Sequence, residues 1–522
     1  MKSVKVLLLV LLCLSGTIVS WAGVCGYQGS RVCSFGHPIF KTELKFTVAT
    51  VLQSNMVVQQ GKPFTMWGTA SAGDTITLAV DWNISPVQVV ADVSGRWKGQ
   101  VPVPEVKPGD FSAHTITVSC KKESLTLSNI LIGEVWLCSG QSNMDMELKP
   151  ALPWLRGVLD YEKEIAAAAY PAIRLINIEN NFKKTPQENA KGTWLVCSPQ
   201  TAGDFSGVAY FYGRELLQKL QVPIGLVVSS VGGSACQAWT SREALESDPE
   251  VKAKYLTPYD LSPQAQESLD SIKTLEKLFE VLARPTLLYN AMIHPLKDLS
   301  VRGFLWYQGE SNKKDGSAYT RLCTAMVEGW RKDFNQGDLP FYYVQVTPYN
   351  WEEKDSTATY YAKLREAQDA MLQVKNTGMA VTMNIGEVND IHPRNKKDVG
   401  LRLAKIALAK NYAQPEVVYL GPKFREYKVR GKKVMVSFLP QSLGTGLTTS
   451  DGQKPRHFYL AGEDKIFYPA EASIVKDQVL LSSEKVKKPV AVRYAFTNYP
   501  MTNFGNKEGL PAMPFRTDTW EE

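Results

Sequence analysis

The run LIGEVWLC at 131–138 is a nearly continuous apolar segment, and it stops at a polar, glycine-bearing turn, SGQSN at 139–143. A strand with no polar face must be covered on both sides, which is the situation of a central strand in a parallel sheet. Further runs of this kind stand at 224–229, 301–307, 341–346 and 378–385. Helical stretches lie between them at 210–220, 268–283, 319–333 and 360–374, and another follows the last run at 396–409. Strand alternating with helix in this way predicts an α/β sandwich with a mostly parallel sheet.

Both flanks read differently. Residues 44–125 hold short alternating segments at 46–50, 64–67, 75–80 and 114–118, parted by turn clusters such as SAGD at 71–74. Strands at that spacing predict a small β-sandwich. Strands return after 415, at 433–438, 478–482 and 490–494, and predict a C-terminal β-domain. The expected division is therefore 44–125, 126–414 and 415–522, as a chain of 522 residues exceeds the roughly 250–300 that one core serves.

At the N-terminus, Lys2 and Lys5 precede an apolar run from Val6 to Val19, with Ser20 and Ala22 at the −3 and −1 positions of a cut after Ala22. The run is shorter than the about 20 residues a membrane-spanning helix needs. Residues 1–22 therefore read as a secretory leader, and the mature protein as exported, periplasmic or extracellular, without a membrane span. The formal charge of +7 is not gathered into basic stretches interleaved with aromatics, so nucleic acid is not an expected partner. The eight cysteines are dispersed without metal-ligand spacing. Cys25 and Cys33 are candidates for a pair, and the others read as buried thiols.

Ser142 stands just beyond the end of the apolar strand, where ligands bind in open α/β sheets. It is a candidate nucleophile and equally a helix N-cap. A serine hydroxyl needs a base within hydrogen-bond reach, and the chain has five histidines. His37 follows the leader, and His114 and His457 fall in the β-rich flanks. His294 and His392 remain, and His392 is favoured because it sits in a polar loop, GEVNDIHPRNKK at 386–397, between strand and helix. Asp390 and Asn389 stand close enough in sequence to orient its ring. Donors for an oxyanion are offered by SVGGS at 230–234 and WYQGESN at 306–312, both at strand ends.

GQSN, SVGGS, WYQGESN and DIHP, in that order, resemble blocks I, II, III and V of the SGNH/GDSL hydrolases. More narrowly, the chain resembles bacterial sialate O-acetylesterases, through VLQSNMVVQQ at 51–60, residues 133–144, residues 304–312, and Tyr494 through Asp518. The resemblance implies an SGNH-type three-layer α/β/α sandwich and a serine hydrolase without metal or organic cofactor. Ser142 is its implied nucleophile and His392 its base. The oxyanion hole would take Ser142 and Gly232 N–H, then Gln308, with Asn312 second. The usual acid position, three before the histidine, holds Asn389 here, so Asp390 becomes the choice and a Ser–His dyad stays open. The implied substrate is an O-acetylated sialic acid, with Arg394 the candidate for its carboxylate. Acetylated xylan or another acetylated sugar is the alternative substrate, and a glycan-binding protein on an inactive scaffold is the reading from another class.

Overall fold

The computed structural model describes residues 45–351, 355 and 357–520, so the expected leader, Cys25, Cys33 and His37 lie outside the described residues. The central sheet is built from β1 (Glu123–Gly140), β2 (Tyr170–Asn177), β3 (Trp194–Cys197), β4 (Ile224–Ser230), β5 (Gly303–Tyr307), β6 (Phe341–Val344) and β7 (Thr377–Ala380). Their order is β3–β2–β4–β1–β5–β6–β7. Every neighbouring pair is parallel except the edge pair of β3 with β2. The chain lays β2 and β4 on one side of β1 and then crosses to place β5 on the other. That reversal beside β1 is where such sheets open a crevice.

Alternation along the strands supplies two cores. Trp136, Cys138, Leu305, Tyr307, Tyr342 and Val344 face one side, where α2 (Gly207–Leu220) and α5 (Lys396–Asn411) contribute Val208, Tyr212, Leu403 and Ile406. Val135, Leu137, Phe304, Trp306, Phe341 and Tyr343 face the other, against Leu322 and Trp330 of α3 (Ser317–Phe334) and Leu364 of α4 (Tyr360–Ala370). Both faces of the sheet are thus helix-covered, which is why its strands read as unbroken apolar runs. Helices α2 and α5 meet closely at Gly400, where a Cβ would stand 2.7 Å from the Phe211 Cβ. That approach sets where α5 begins.

β1 extends eight residues before the apolar run and also belongs to the N-terminal β-region. Its first half pairs antiparallel with His114–Cys120, and Val57–Gln59 pairs parallel with Leu131, Ile132 and Gly133. The apolar core on the α3 side runs on into this region through Met66, Ile76, Leu78 and Val118. A second group of strands lies C-terminal. Phe424–Arg430, Lys433–Phe438, Gln478–Ser482 and Glu471–Val475 form one sheet, and Phe458–Ala461 and Ala491–Tyr494 anchor another. A buried Arg493–Asp518 pair closes the latter, at 2.8 Å.

Several elements differ from expectation. The helix expected at 268–283 is broken into Leu269–Ser271 and Leu275–Val281, because the Thr274 hydroxyl accepts the Lys277 N–H and starts a new helix. The strand expected at 378–385 stops pairing at Ala380: its partner β6 ends at Val344, and β7 is the sheet edge. The chain is thereby released into the loop that carries His392. β2 and β3 had no clear apolar run, since β2 starts with the partly exposed Tyr170, Pro171 and Ala172.

Glu134 ties these parts together. It is 1% exposed, and its carboxylate accepts from Gln60 Nε2 at 2.7 Å and Tyr412 Oη at 2.9 Å. Arg302 Nε and Nη2 donate to it at 2.6 and 2.7 Å. One carboxylate thus joins the N-terminal region, the lead into β5 and the residue after α5. Glu134→Ala is expected to lower stability by about 3–5 kcal/mol, as removal of one partner strands the other charge. Denaturant unfolding checks this, and a midpoint equal to wild type would refute the hub.

Candidate active site

β1 ends at Gly140, whose φ of +140° and closeness to β5 leave no room for a side chain: a Cβ would lie 2.2 Å from the Tyr307 carbonyl oxygen. This close approach turns the chain sharply into α1 (Ser142–Asp145), a four-residue helix. Ser142 is its first residue, so its N–H lacks an intrahelical acceptor. The cap position belongs to Gln141, without a side-chain cap bond. The N-cap alternative for Ser142 is therefore not what the structure contains.

His392 is delivered from the far end of the domain, four residues before α5, and its Nε2 lies 2.8 Å from Ser142 Oγ. Asp390 Oδ1 accepts the His392 backbone N–H at 2.8 Å and stands 3.4 Å from His392 Nδ1. Oδ2 of the same carboxylate accepts from Arg156 Nε at 2.7 Å, and Arg156 Nη2 pairs with Glu387. Burial, then the nearby Lys396 cation, pulls the His392 imidazole down to about 4, against the opposing pull of Asp390. The free ring is therefore neutral over most of the pH range and can take a proton from Ser142.

The loop after β4 closes another side. A Cβ on Gly232 would lie 3.5 Å from the Ser142 Cβ, so the bare Gly232 backbone faces the serine, and its N–H donates to no acceptor among the described residues. Gly233 follows with φ +77°, and the Phe279 ring lies 2.5 Å from where its Cβ would be. At the end of β4, Ser230 Oγ donates to Asp145 Oδ1 at 2.8 Å. Burial pushes that carboxyl up to about 6.

The two expected side-chain oxyanion donors are spent elsewhere. Gln308 is fully buried: its Nε2 donates to Ser234 O at 3.2 Å and Asn312 Oδ1 at 2.8 Å, and its Oε1 accepts from Tyr319 Oη at 2.9 Å. Asn312 Nδ2 donates to Gln237 Oε1 at 3.1 Å and Asp315 Oδ2 at 2.9 Å, while its Oδ1 also accepts the Cys236 N–H at 2.9 Å. Buried amides must be satisfied, and these two are satisfied by holding the 234–237 turn. Gln141, which sequence reasoning passed over, is different. Its Oε1 accepts from Gly309 N at 3.4 Å and Ser311 N at 3.3 Å, and among the described residues its Nε2 has no hydrogen-bond partner although the residue is 3% exposed.

Arg394 is also placed otherwise than expected. Its Nε and Nη2 donate to the carbonyls of Gly157 and Val158 at 3.0 and 2.9 Å, so it clamps the 156–159 segment. That clamp holds Arg156 beside Asp390, and Arg156 is the half-exposed cation at the site. His294 lies in a separate cleft with Arg242 and Asp333, its Nδ1 2.9 Å from Gln187 O. Asn143, Glu310 and Lys396, also missed, form a buried polar cluster behind Ser142. Asn143 and Glu310 sat inside the quoted motifs, and that is the signal by which they could have been found. Among the described residues no three His, Cys, Asp or Glu side chains converge as a metal-ligand set, and no helix is long and apolar enough to cross a membrane. The described cysteines, Cys120, Cys138, Cys197, Cys236 and Cys323, are buried and unbridged.

Comparison with known proteins agrees with this chemistry. A family model described as carbohydrate esterase, sialic acid-specific acetylesterase, matches residues 132–409. Sialate O-acetylesterase from Rattus norvegicus is 28% identical over 90% of this chain and 94% of its own length. The sialate O-acetylesterase from Homo sapiens is 27% identical over 90% of this chain and 92% of its own. Among solved structures, a carbohydrate acetylesterase from Xanthomonas citri is 33% identical, with a TM-score of 0.79, covering 91% of this chain and all of that one.

Proposed function

This chain belongs to the sialic acid-specific acetylesterase family of carbohydrate esterases, and from that membership we propose that it removes O-acetyl groups from sialic acids through an acetyl-serine intermediate. It is a carboxylic ester hydrolase. The observation that carries the mechanism is the 2.8 Å contact between His392 Nε2 and Ser142 Oγ. His392 takes the serine proton as Oγ attacks the acetyl carbonyl, then returns it to the departing sugar oxygen. Water, deprotonated by the same ring, cleaves the acetyl-enzyme, which is the logic of the serine triad. Asp390 orients the imidazole from the Nδ1 side. The oxyanion forms against the Ser142 and Gly232 N–H groups, and Gln141 Nε2 is the side-chain amide left free to join them.

The helix-covered sheet supports reading residues 126–414 as an SGNH-type three-layer sandwich, with β-domains at 44–125 and 415–522. The leader-like sequence at 1–22 supports reading the enzyme as exported. A second reading concerns the sugar. Sialic acid carries a carboxylate, yet Arg394 is tied to backbone and Arg156 is already paired with Asp390 and Glu387. The Xanthomonas citri structure is named only as a carbohydrate acetylesterase. Both points favour a neutral acetylated sugar as the alternative. Acetate release from 9-O-acetylated sialic acid and acetylated xylan, in competition, decides between the two. A kcat/KM at least tenfold higher for the sialic acid, about 1.4 kcal/mol of barrier, is expected, and the reverse preference would overturn that substrate.

Ser142→Ala is expected to remove all but a residue of turnover while leaving the fold intact, since losing a nucleophile costs several orders of magnitude. A variant holding more than a tenth of wild-type kcat, within about 1.4 kcal/mol, would show that another group attacks. Asp390→Asn tests orientation of the base. With a triad the loss approaches about 10⁴. A loss below about tenfold would assign the ring's orientation to the backbone, and the site would be a dyad.

A further inference from the structure

Behind the Ser142–His392 contact lies a polar cluster that the acyl-transfer steps do not use. Asn143 is fully buried, and its amide is engaged at both ends. Nδ2 donates to Glu310 Oε1 at 2.6 Å and to the Ile391 carbonyl at 3.1 Å, while Oδ1 accepts from Lys396 Nζ at 2.5 Å. Lys396 has no exposed surface, and its ammonium stands 5.3 Å from the centre of the Tyr307 ring. Glu310 is 3% exposed, and its second oxygen, Oε2, is buried without a partner.

Burying two ions is costly unless each meets an opposite charge or a strong hydrogen bond. Here the amide of Asn143 stands between them, its oxygen toward the cation and its nitrogen toward the anion. Flipping the amide would turn each end toward the wrong charge, so its orientation is locked electrostatically. The third contact is the consequential one, because the Ile391 carbonyl belongs to the peptide unit that carries the His392 nitrogen. The residue after the serine thus holds the backbone of the histidine. We infer that Asn143 is a positioning residue that sets His392 against Ser142, and that Lys396 and Glu310 are the charges that lock it. The inference rests on the roles proposed for Ser142 and His392.

Lys396 has a second effect on the same ring. The charged groups acting on His392 are Asp390 and Arg156 on the loop side, where Arg156 also pairs with Glu387, and Lys396 at the start of α5, itself beside Glu310 across Asn143. Burial pulls the Lys396 ammonium down to about 7 while Glu310 holds it up. Below that pH the lysine is charged and opposes an imidazolium beside it. The base must be unprotonated in the free enzyme, so the acid limb of kcat/KM follows its pKa. Removing the cation should raise that pKa and move the limb upward. A residue that only supported the fold would lower amplitude without moving the limb.

Three variants test this, each checked for native circular dichroism. Asn143→Asp keeps the size but turns an oxygen toward Glu310 and the Ile391 carbonyl. It is expected to lower kcat about 100-fold, with KM changed by less than about threefold, as for a misplacement on the order of an ångström. Lys396→Met is expected to move the acid limb up by about one pH unit or more, and Lys396→Arg to move it back, as for a like charge nearby. An unmoved limb in Lys396→Met, or a kcat in Asn143→Asp above about a third of wild type, overturns the inference. If Lys396→Met fails to fold, the kcat and KM of Asn143→Asp decide alone, by the same threshold. Failure of the parent reading is distinguishable, since it would appear as an active Ser142→Ala protein.

Discussion

The architecture depends on one strand that serves two sheets. β1 is hydrogen-bonded to the N-terminal strands along its first half and is the centre of the parallel sheet along its second. Its register is held from below by Glu134, whose carboxylate is shared by groups from three distant parts of the chain. Its upper end is held by the contact of Gly140 with the Tyr307 carbonyl. A residue placed two positions further on has little freedom, and Ser142 is that residue. Preorganisation of the serine is thus a property of the sheet rather than of local side chains.

The remaining groups reach the serine from separate strand ends and helix starts. The loop after β4 presents Gly232 because that position has no side chain. The loop after β5 contributes Gln308 and Asn312, whose amides are consumed in holding the turn at 234–237. Such amides support the site from behind, and the amide nitrogen without a partner among the described residues is Gln141 Nε2 instead. The close packing of α5 on α2 at Gly400 determines where the His392 loop arrives. Tight packing of this kind leaves few alternative positions for His392.

Charge is distributed unevenly around the site. On the solvent side, Arg156 spans Glu387 and Asp390 and is itself held in place by the Arg394 clamp on the neighbouring carbonyls. On the interior side, Lys396 and Glu310 are buried at opposite ends of Asn143. The imidazole lies between a carboxylate that favours its charged form and a cation and burial that oppose it. The free ring is therefore neutral, and Asp390 is the neighbour that would favour its charged form.

Much of this was legible in the amino-acid sequence. Apolar runs with no polar face identified the buried parallel strands, because only helix cover on both sides makes such runs affordable in water. A serine at the end of one run, and a histidine in a polar loop before the last helix, pointed to two side chains that the fold brings to 2.8 Å of each other. The ends of β1 and β7, the antiparallel β3 edge and the broken helix at 268–283 were not legible, since pairing partners and caps decide them. The same holds for side-chain roles. Gln308, Asn312 and Arg394 carry suitable donors, but donors do not state where their hydrogen bonds go. Only the tertiary structure spent those groups on carbonyls and turns and left Gln141 Nε2 without a partner among the described residues. It also set Lys396, a solvated surface residue by composition, in the interior. Residue type determines what a group can do chemically. Burial and the competition for hydrogen-bond partners, which involve residues hundreds of positions apart, decide what it does.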